Sequence, residues 1–195
     1  MESHPVNTLF LIGRPGSGKG TQTELLAKKL GWKTLSSGNT FRELRTNEGS
    51  LGEKVRETYD SGKLFPHWFP IYLFQNEVLN LAQTDGLLCE GFVRAVDEAK
   101  AEDEVLAWLG RRYVVINLAV SEEEAMRRQL SRHEVDARPD SDSEEKIRVR
   151  FEEYTKRTAH VLDFFREKGV LIEVNGEETP EHIADELYEK LKTLI

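Results

Sequence analysis

The chain carries little that reacts on its own. Its 195 residues include one cysteine, Cys89, so an intrachain disulfide and a thiolate zinc cluster are both excluded. Leu87 and Leu88 precede that cysteine, which reads as a buried, inert thiol. His4, His67, His133, His160 and His182 are widely spaced without a metal-ligand pattern and read as surface or structural residues. No apolar stretch approaches the roughly 20 residues that span a bilayer. Met1–Leu9 lacks the basic and apolar regions of a secretory signal, which makes the cytoplasm the expected compartment. Basic residues are in deficit, 27 against 35 acidic, for a net charge of −8. That balance argues against a nucleic-acid or anionic-membrane partner, since both need a basic footprint. Any polyanionic ligand must be gripped by local cations and backbone N–H groups.

What is present suits one soluble domain over residues 1–195. The apolar fraction is 38% and the charged fraction 32%, the length can bury a sizeable core, and neither a repeat nor a Pro- or Gly/Ser-rich linker divides the chain. Thr8–Ile12, Lys33–Leu35, Gly86–Cys89, Tyr113–Ala119 and Val170–Asn175 read as five strands. Continuous apolar runs such as Tyr113-Val114-Val115-Ile116 suit strands buried on both faces of a parallel sheet. Between them run amphipathic helices with recognisable ends. Ser121 with Glu124 makes a capping-box pattern, Thr179 precedes a first-turn Pro180, and Gly31 and Gly169 stand where helices should stop. Ile147, Phe151, Tyr154, Val161, Leu162 and Phe165 form one stripe on a long helix starting near Ser143. Trp32, Trp68 and Trp108 read as packing residues. The alternation predicts an α/β fold whose ligands lie beyond the carboxyl ends of the strands.

The strongest local signal is Gly13-Arg14-Pro15-Gly16-Ser17-Gly18-Lys19-Gly20-Thr21, between a strand and an amphipathic helix. Glycines let the backbone curl around phosphates, so successive N–H groups and the helix N-terminus can point at them. Lys19 adds a point charge at the β- and γ-phosphates. The generic loop places Ser or Thr directly after the lysine to touch Mg²⁺. Here that slot is Gly20, with Thr21 one place later, which leaves the metal to be held mostly through water.

Extended by Gln22, this run resembles the start of the adenylate kinase family of nucleoside monophosphate kinases. The resemblance spans Leu9 to about Leu191. It adds Leu35-Ser36-Ser37-Gly38-Asn39-Thr40-Phe41-Arg42, Gly62-Lys63-Leu64-Phe65-Pro66, Glu90-Gly91-Phe92-Val93-Arg94 and an arginine set, Arg128, Arg132, Arg138 and Arg150. It implies a P-loop NTPase-like, five-stranded parallel sheet flanked by helices, with a helical NMP-binding insertion at about 36–65 and a short lid at about 132–143. It implies reversible phosphoryl transfer from Mg·ATP to a monophosphate, with AMP leading CMP/UMP or GMP, by a monomer that needs no zinc. By the same resemblance Gly16, Ser17, Gly18, Lys19, Gly20, Thr21, Arg128, Arg132 and Glu178 would contact ATP. Ser37, Arg42, Lys63, Leu64, Phe65, Gly91, Phe92, Val93, Arg94, Glu98, Arg138 and Arg150 would contact the monophosphate. Lys19, Arg94, Arg132, Arg138 and Arg150 would stabilise the transferring group, and Glu90 would organise Mg²⁺ through water.

Three positions depart from the family pattern. Glu90 replaces an aspartate. Val93 replaces a proline whose preceding bond is often cis, and a trans bond with local rearrangement is expected, because a non-proline cis bond costs about 3 kcal/mol. Glu98 replaces the glutamine that reads adenine. An ionised carboxylate accepts from the adenine amine but cannot donate to the ring nitrogen, and carboxylates equally suit the cytosine amine or the donor edge of guanine. A kinase for another small molecule and a nucleotide-binding regulatory module without catalysis stand as rival readings, whereas the absence of Asn-Lys-x-Asp disfavours a GTPase.

Overall fold

The computed structural model describes residues 5–135 and 138–195. Five strands, β1 (Val6–Ile12), β2 (Lys33–Ser36), β3 (Leu87–Glu90), β4 (Arg112–Ala119) and β5 (Leu171–Asn175), form one parallel sheet in the order β2-β3-β1-β4-β5. Each expected strand is present within two residues of its expected bounds. The period-2 geometry of a strand sorts the apolar runs onto two faces. Phe10, Ile12, Leu87, Cys89 and Val115 face one core, shared with α4 (Trp68–Val78), α5 (Val96–Leu109) and α8 (Ala159–Glu167). Leu9, Leu11, Leu88, Val114, Ile116 and Leu118 face another, shared with α1 (Lys19–Leu30) and α9 (Pro180–Leu191). Helices therefore cover both faces, and the loops at the carboxyl ends of the strands are left to build a site.

Between β2 and α4, the short helices α2 (Ser37–Leu44) and α3 (Ser50–Tyr59) enclose their own small core of Phe41, Val55, Tyr59, Phe65 and Phe69. Phe41 and Phe65 stack there with ring centroids 3.9 Å apart. On the other side of the sheet's carboxyl edge, α6 (Glu122–Val135) and α7 (Glu144–Glu153) flank the expected lid. Residues 136 and 137 of that lid, the His133 side chain and Met1–His4 lie outside the described residues. The long helix predicted from Ser143 is present, but a π-helical turn at Tyr154–Thr158 separates α7 from α8. Ile147, Phe151, Val161 and Phe165 of its stripe are buried.

Local chemistry explains most of the helix ends. Thr179 Oγ1 accepts from the His182 N–H, and Gly31 closes α1 at a positive φ of 69°. The expected capping box at α6 is only half formed. Ser121 Oγ accepts from the Glu124 N–H, but the Glu124 carboxylate turns to Arg127 and Arg128, and Glu177 takes the Ser121 N–H instead. Two of the three tryptophans contradict the packing expectation: Trp68 is 65% and Trp108 78% exposed. Trp68 opens α4 and Trp108 lies near the end of α5, both largely turned to solvent, while Trp32 does pack, lying so close over Gly86 that a Cβ there would meet its ring at 2.1 Å.

Among the described residues no helix is long and apolar enough to cross a membrane, and no group of three or more His, Cys, Asp or Glu side chains could hold a metal ion. Cys89 is a fully buried free thiol whose pKa burial pushes well up, with Glu102 adding to the shift. Glu102 on α5 is itself 1% exposed, and neither of its oxygens finds a hydrogen-bond partner. Burial, reinforced by Glu98, raises its pKa well above the ordinary value. The native carboxyl therefore keeps a proton that the unfolded chain has lost, so this residue costs stability as pH rises above about 4.5. Glu102→Leu should stabilise the fold by about 1–3 kcal/mol at pH 8. In thermal melts the gain should shrink towards pH 4, and a gain that grew on acidification would refute the assignment.

Candidate active site

The loop after β1 is shaped by contacts that leave no room for side chains. A Cβ on Gly16, at φ +91°, would lie 2.6 Å from the Ala125 carbonyl oxygen. Only glycine meets both the left-handed backbone and the close approach of α6. Gly18 begins α1 without a side-chain cap, so the first-turn N–H groups of α1 remain for a ligand. Arg14 pins the loop from outside, its guanidinium stacked over Phe151 and Tyr154 and paired with Glu122 at 2.8 Å.

Lys19 folds back on this loop. Its ammonium donates to the Gly13 and Arg14 carbonyl oxygens at 2.8 and 3.0 Å. Burial lowers its pKa to about 7; Glu90 opposes the shift, and Arg94, Arg150 and Arg132 add to it. Glu90 ends β3 between Leu11 of β1 and Ser36 of β2. Burial pushes its carboxyl up, yet Lys19, a 2.7 Å hydrogen bond from Ser36 Oγ, Arg94 and Arg42 outweigh that and hold it below the usual range.

These groups line a cavity of about 430 Å³ together with Gly16, Gly18, Gly20, Thr21, Phe92, Arg128, Arg132 and Arg138. A smaller cavity of about 80 Å³ adjoins it, walled by Phe41, Lys63, Leu64, Phe65 and Glu98. Arg42, Glu90, Gly91, Arg94, Arg138 and Arg150 line both. Four guanidinium groups and one carboxylate thus mark the junction. Arg150 pairs with Asp140 at 2.8 Å, and burial followed by the nearby Arg94 and Arg138 depresses its pKa despite that partner. Arg42 reaches the Tyr59 hydroxyl at 3.0 Å, and Arg132 donates to Gln129 Oε1 at 2.6 Å. Arg128 bonds Glu124 and the Gly176 carbonyl oxygen, which ties α6 to the loop after β5.

A model of the family described as adenylate kinase matches residues 11–170 of this sequence. The chain belongs to the adenylate kinase family. It is 35% identical over 188 residues to an adenylate kinase of Thermus thermophilus, covering 96% of each chain. It is 34% identical over 180 residues to one of Flavobacterium johnsoniae, covering 92% of this chain and 95% of the relative. A Porphyromonas gingivalis adenylate kinase is 36% identical over 177 residues, covering 90% of this chain and 91% of its own.

Against the family pattern, most expected site residues converge and a few stand aside. Ser17, Ser37 and Val93 are buried and line neither cavity. Ser37 instead bridges two elements, its hydroxyl donating to the Gly91 carbonyl oxygen at 2.8 Å. Val93 is joined by a trans bond, as expected, and the rearrangement takes the form of a positive φ of 52° at a β-branched residue. Such a conformation costs on the order of 1–3 kcal/mol and is held by the packing around it. Glu178 is exposed in the loop before α9 and lines neither cavity.

Sequence reasoning missed Tyr59, Asp140 and His67. Asp140 and Tyr59 reach the site through Arg150 and Arg42. His67, read as surface or structural, is half-exposed and lies with its Nδ1 3.3 Å from Glu98 Oε1. No spacing or motif carried that signal.

Proposed function

We propose that this chain transfers the γ-phosphoryl group of Mg·ATP reversibly to AMP, giving two ADP. The observation that carries the reading is the junction. A larger cavity over the phosphate loop and a smaller aromatic one meet at Arg42, Arg94, Arg138 and Arg150, with Lys19 on one side. Two anionic ligands that meet end to end need that arrangement, because like charges must be neutralised before they can approach.

In this scheme an oxygen of the acceptor phosphate attacks the γ-phosphorus in line, and the bond from that phosphorus to the β–γ bridging oxygen breaks. The charge passes to the leaving ADP, and no phosphoenzyme forms. Lys19 and the α1 N-terminus hold the donor phosphates, and the junction arginines hold the transferring group and the acceptor phosphate. Arg128 and the loop containing Glu178 lie towards the donor base, and the 36–65 segment holds the acceptor. The lid at 132–143 excludes water. Magnesium would arrive with ATP and neutralise charge between its terminal phosphates. Glu90 fits a water-mediated contact to it, as the ionised carboxylate among the described residues that borders both cavities. A monomer acting in the cytoplasm on small molecules, without a nucleic-acid or membrane partner, completes the proposal. The net charge of −8 and the buried free thiol of Cys89 support it.

The acceptor assignment gains support from Glu98. Its Oε2 already accepts from the Arg94 N–H at 2.8 Å and its Oε1 has His67 Nδ1 at 3.3 Å, which leaves room on Oε1 for one further donor. One donor suits a single exocyclic amine, as in adenine or cytosine, whereas the paired donors of guanine call for both oxygens. A panel of AMP, CMP, UMP, GMP and dAMP with Mg·ATP should rank AMP first in kcat/KM. A tenfold preference for GMP would reject the assignment, and no diphosphate from any of them would reject the kinase.

A further inference from the structure

Glu98 sits 2% exposed at the start of α5, on the wall of the acceptor cavity. A carboxylate so placed needs partners for its charge. One oxygen has the Arg94 N–H; the other has the imidazole of His67, 3.3 Å away. His67 precedes α4, keeps 39% of its side chain exposed and does not itself line the acceptor cavity. It reaches the site through Glu98.

We propose that His67 is a positioning residue for the acceptor base and supports AMP affinity but not ATP affinity. The proposal rests on the AMP reading above. Glu98 Oε1 accepts the adenine amine, and His67 Nδ1–H fixes that oxygen from the other side. A carboxylate cannot donate to the adenine ring nitrogen beside the amine, and its charge faces that nitrogen's lone pair. The His67 N–H on the far side of Oε1 draws part of that charge away from the base, so the mismatch is smaller with the imidazole in place.

The other charged groups around this pocket do not reproduce that behaviour. Arg42, Arg94, Arg138 and Arg150 border both cavities and so face the phosphates, and Tyr59 is bonded to Arg42. Asp140 is paired with Arg150, and Glu90 is held ionised. Glu102, one turn beyond Glu98, favours its neutral form because of burial and the nearby Glu98.

The test is a double-mutant cycle of His67→Ala and Glu98→Gln, read as KM for AMP, KM for ATP and kcat. AMP dissociation constants by titration calorimetry provide a readout independent of turnover. His67→Ala should raise the AMP constants about five- to tenfold and leave those for ATP and kcat within about twofold. In the Glu98→Gln background, where no charge needs compensation, the same change should cost less than about twofold. His67→Gln, which keeps a donor, should restore much of the AMP affinity lost in His67→Ala. Equal losses in both backgrounds, or losses shared by ATP and kcat, would overturn the couple while leaving AMP kinase activity standing. Failure of the wild-type protein to phosphorylate AMP at all would remove the acceptor reading and the couple with it.

Discussion

Replacing Lys19 by methionine should lower kcat for ADP formation by about a thousandfold or more, with the circular dichroism spectrum unchanged. The side chain is close to lysine in length, so the loop geometry can survive. What disappears is an ammonium that now bonds the Gly13 and Arg14 carbonyl oxygens of its own loop. Burial and three nearby arginines make that charge costly, and its pKa falls to about 7. A bound triphosphate reverses the balance by placing negative charge against it.

The same lysine therefore predicts a proton count. At pH 8 the ligand-free ammonium is largely deprotonated, so Mg·ATP binding should take up close to one proton. At pH 6, where the lysine already carries its proton, uptake should fall towards zero. Calorimetric titrations in two buffers of different ionisation enthalpy measure the number directly. Near-normal turnover in the Lys19→Met variant, or the same uptake in that variant as in wild type, would refute the role.

Arg94→Met should be the next most damaging change, lowering kcat/KM for both substrates together by about a hundredfold or more. Arg94 borders both cavities, and its guanidinium donates towards Ser37 Oγ at 3.5 Å. Its backbone is held from both sides, the N–H by Glu98 and the carbonyl oxygen by the Thr158 hydroxyl at 3.1 Å. The neighbouring Val93 spends strain energy to aim this loop. Arg94→Lys should recover little, because an ammonium cannot offer a planar fork to two phosphate oxygens. A large rise in KM for AMP alone, with kcat intact, would place Arg94 in acceptor binding and outside the transfer step.

How much could be read beforehand followed the range of the interactions. The phosphate loop was legible because its glycines, lysine and flanking helix act on one another within nine residues. The strands were legible because burial on both faces leaves a local apolar run. The trans bond before Val93 followed from local energetics, but the left-handed backbone that accompanies it did not, since only the packing of Val93 in the core holds it. The capping box at Ser121 was half right because Glu177, far along the chain, took the N–H that Glu124 was expected to accept from. Trp68 and Trp108 were misjudged because a helix pattern does not tell which apolar faces receive a neighbour.

The amino-acid order alone determined the family, the alternating architecture and the presence of a phosphate-binding loop, since each is written in contiguous residues. Tertiary structure decided which separated groups share charge. The strand order β2-β3-β1-β4-β5 brings Glu90 beside the loop that holds Lys19, α7 carries Arg150 to Asp140, and the entry to α4 sets His67 against Glu98. Coulomb and hydrogen-bond energies depend on distance through space, and distance through space is what the linear order does not contain.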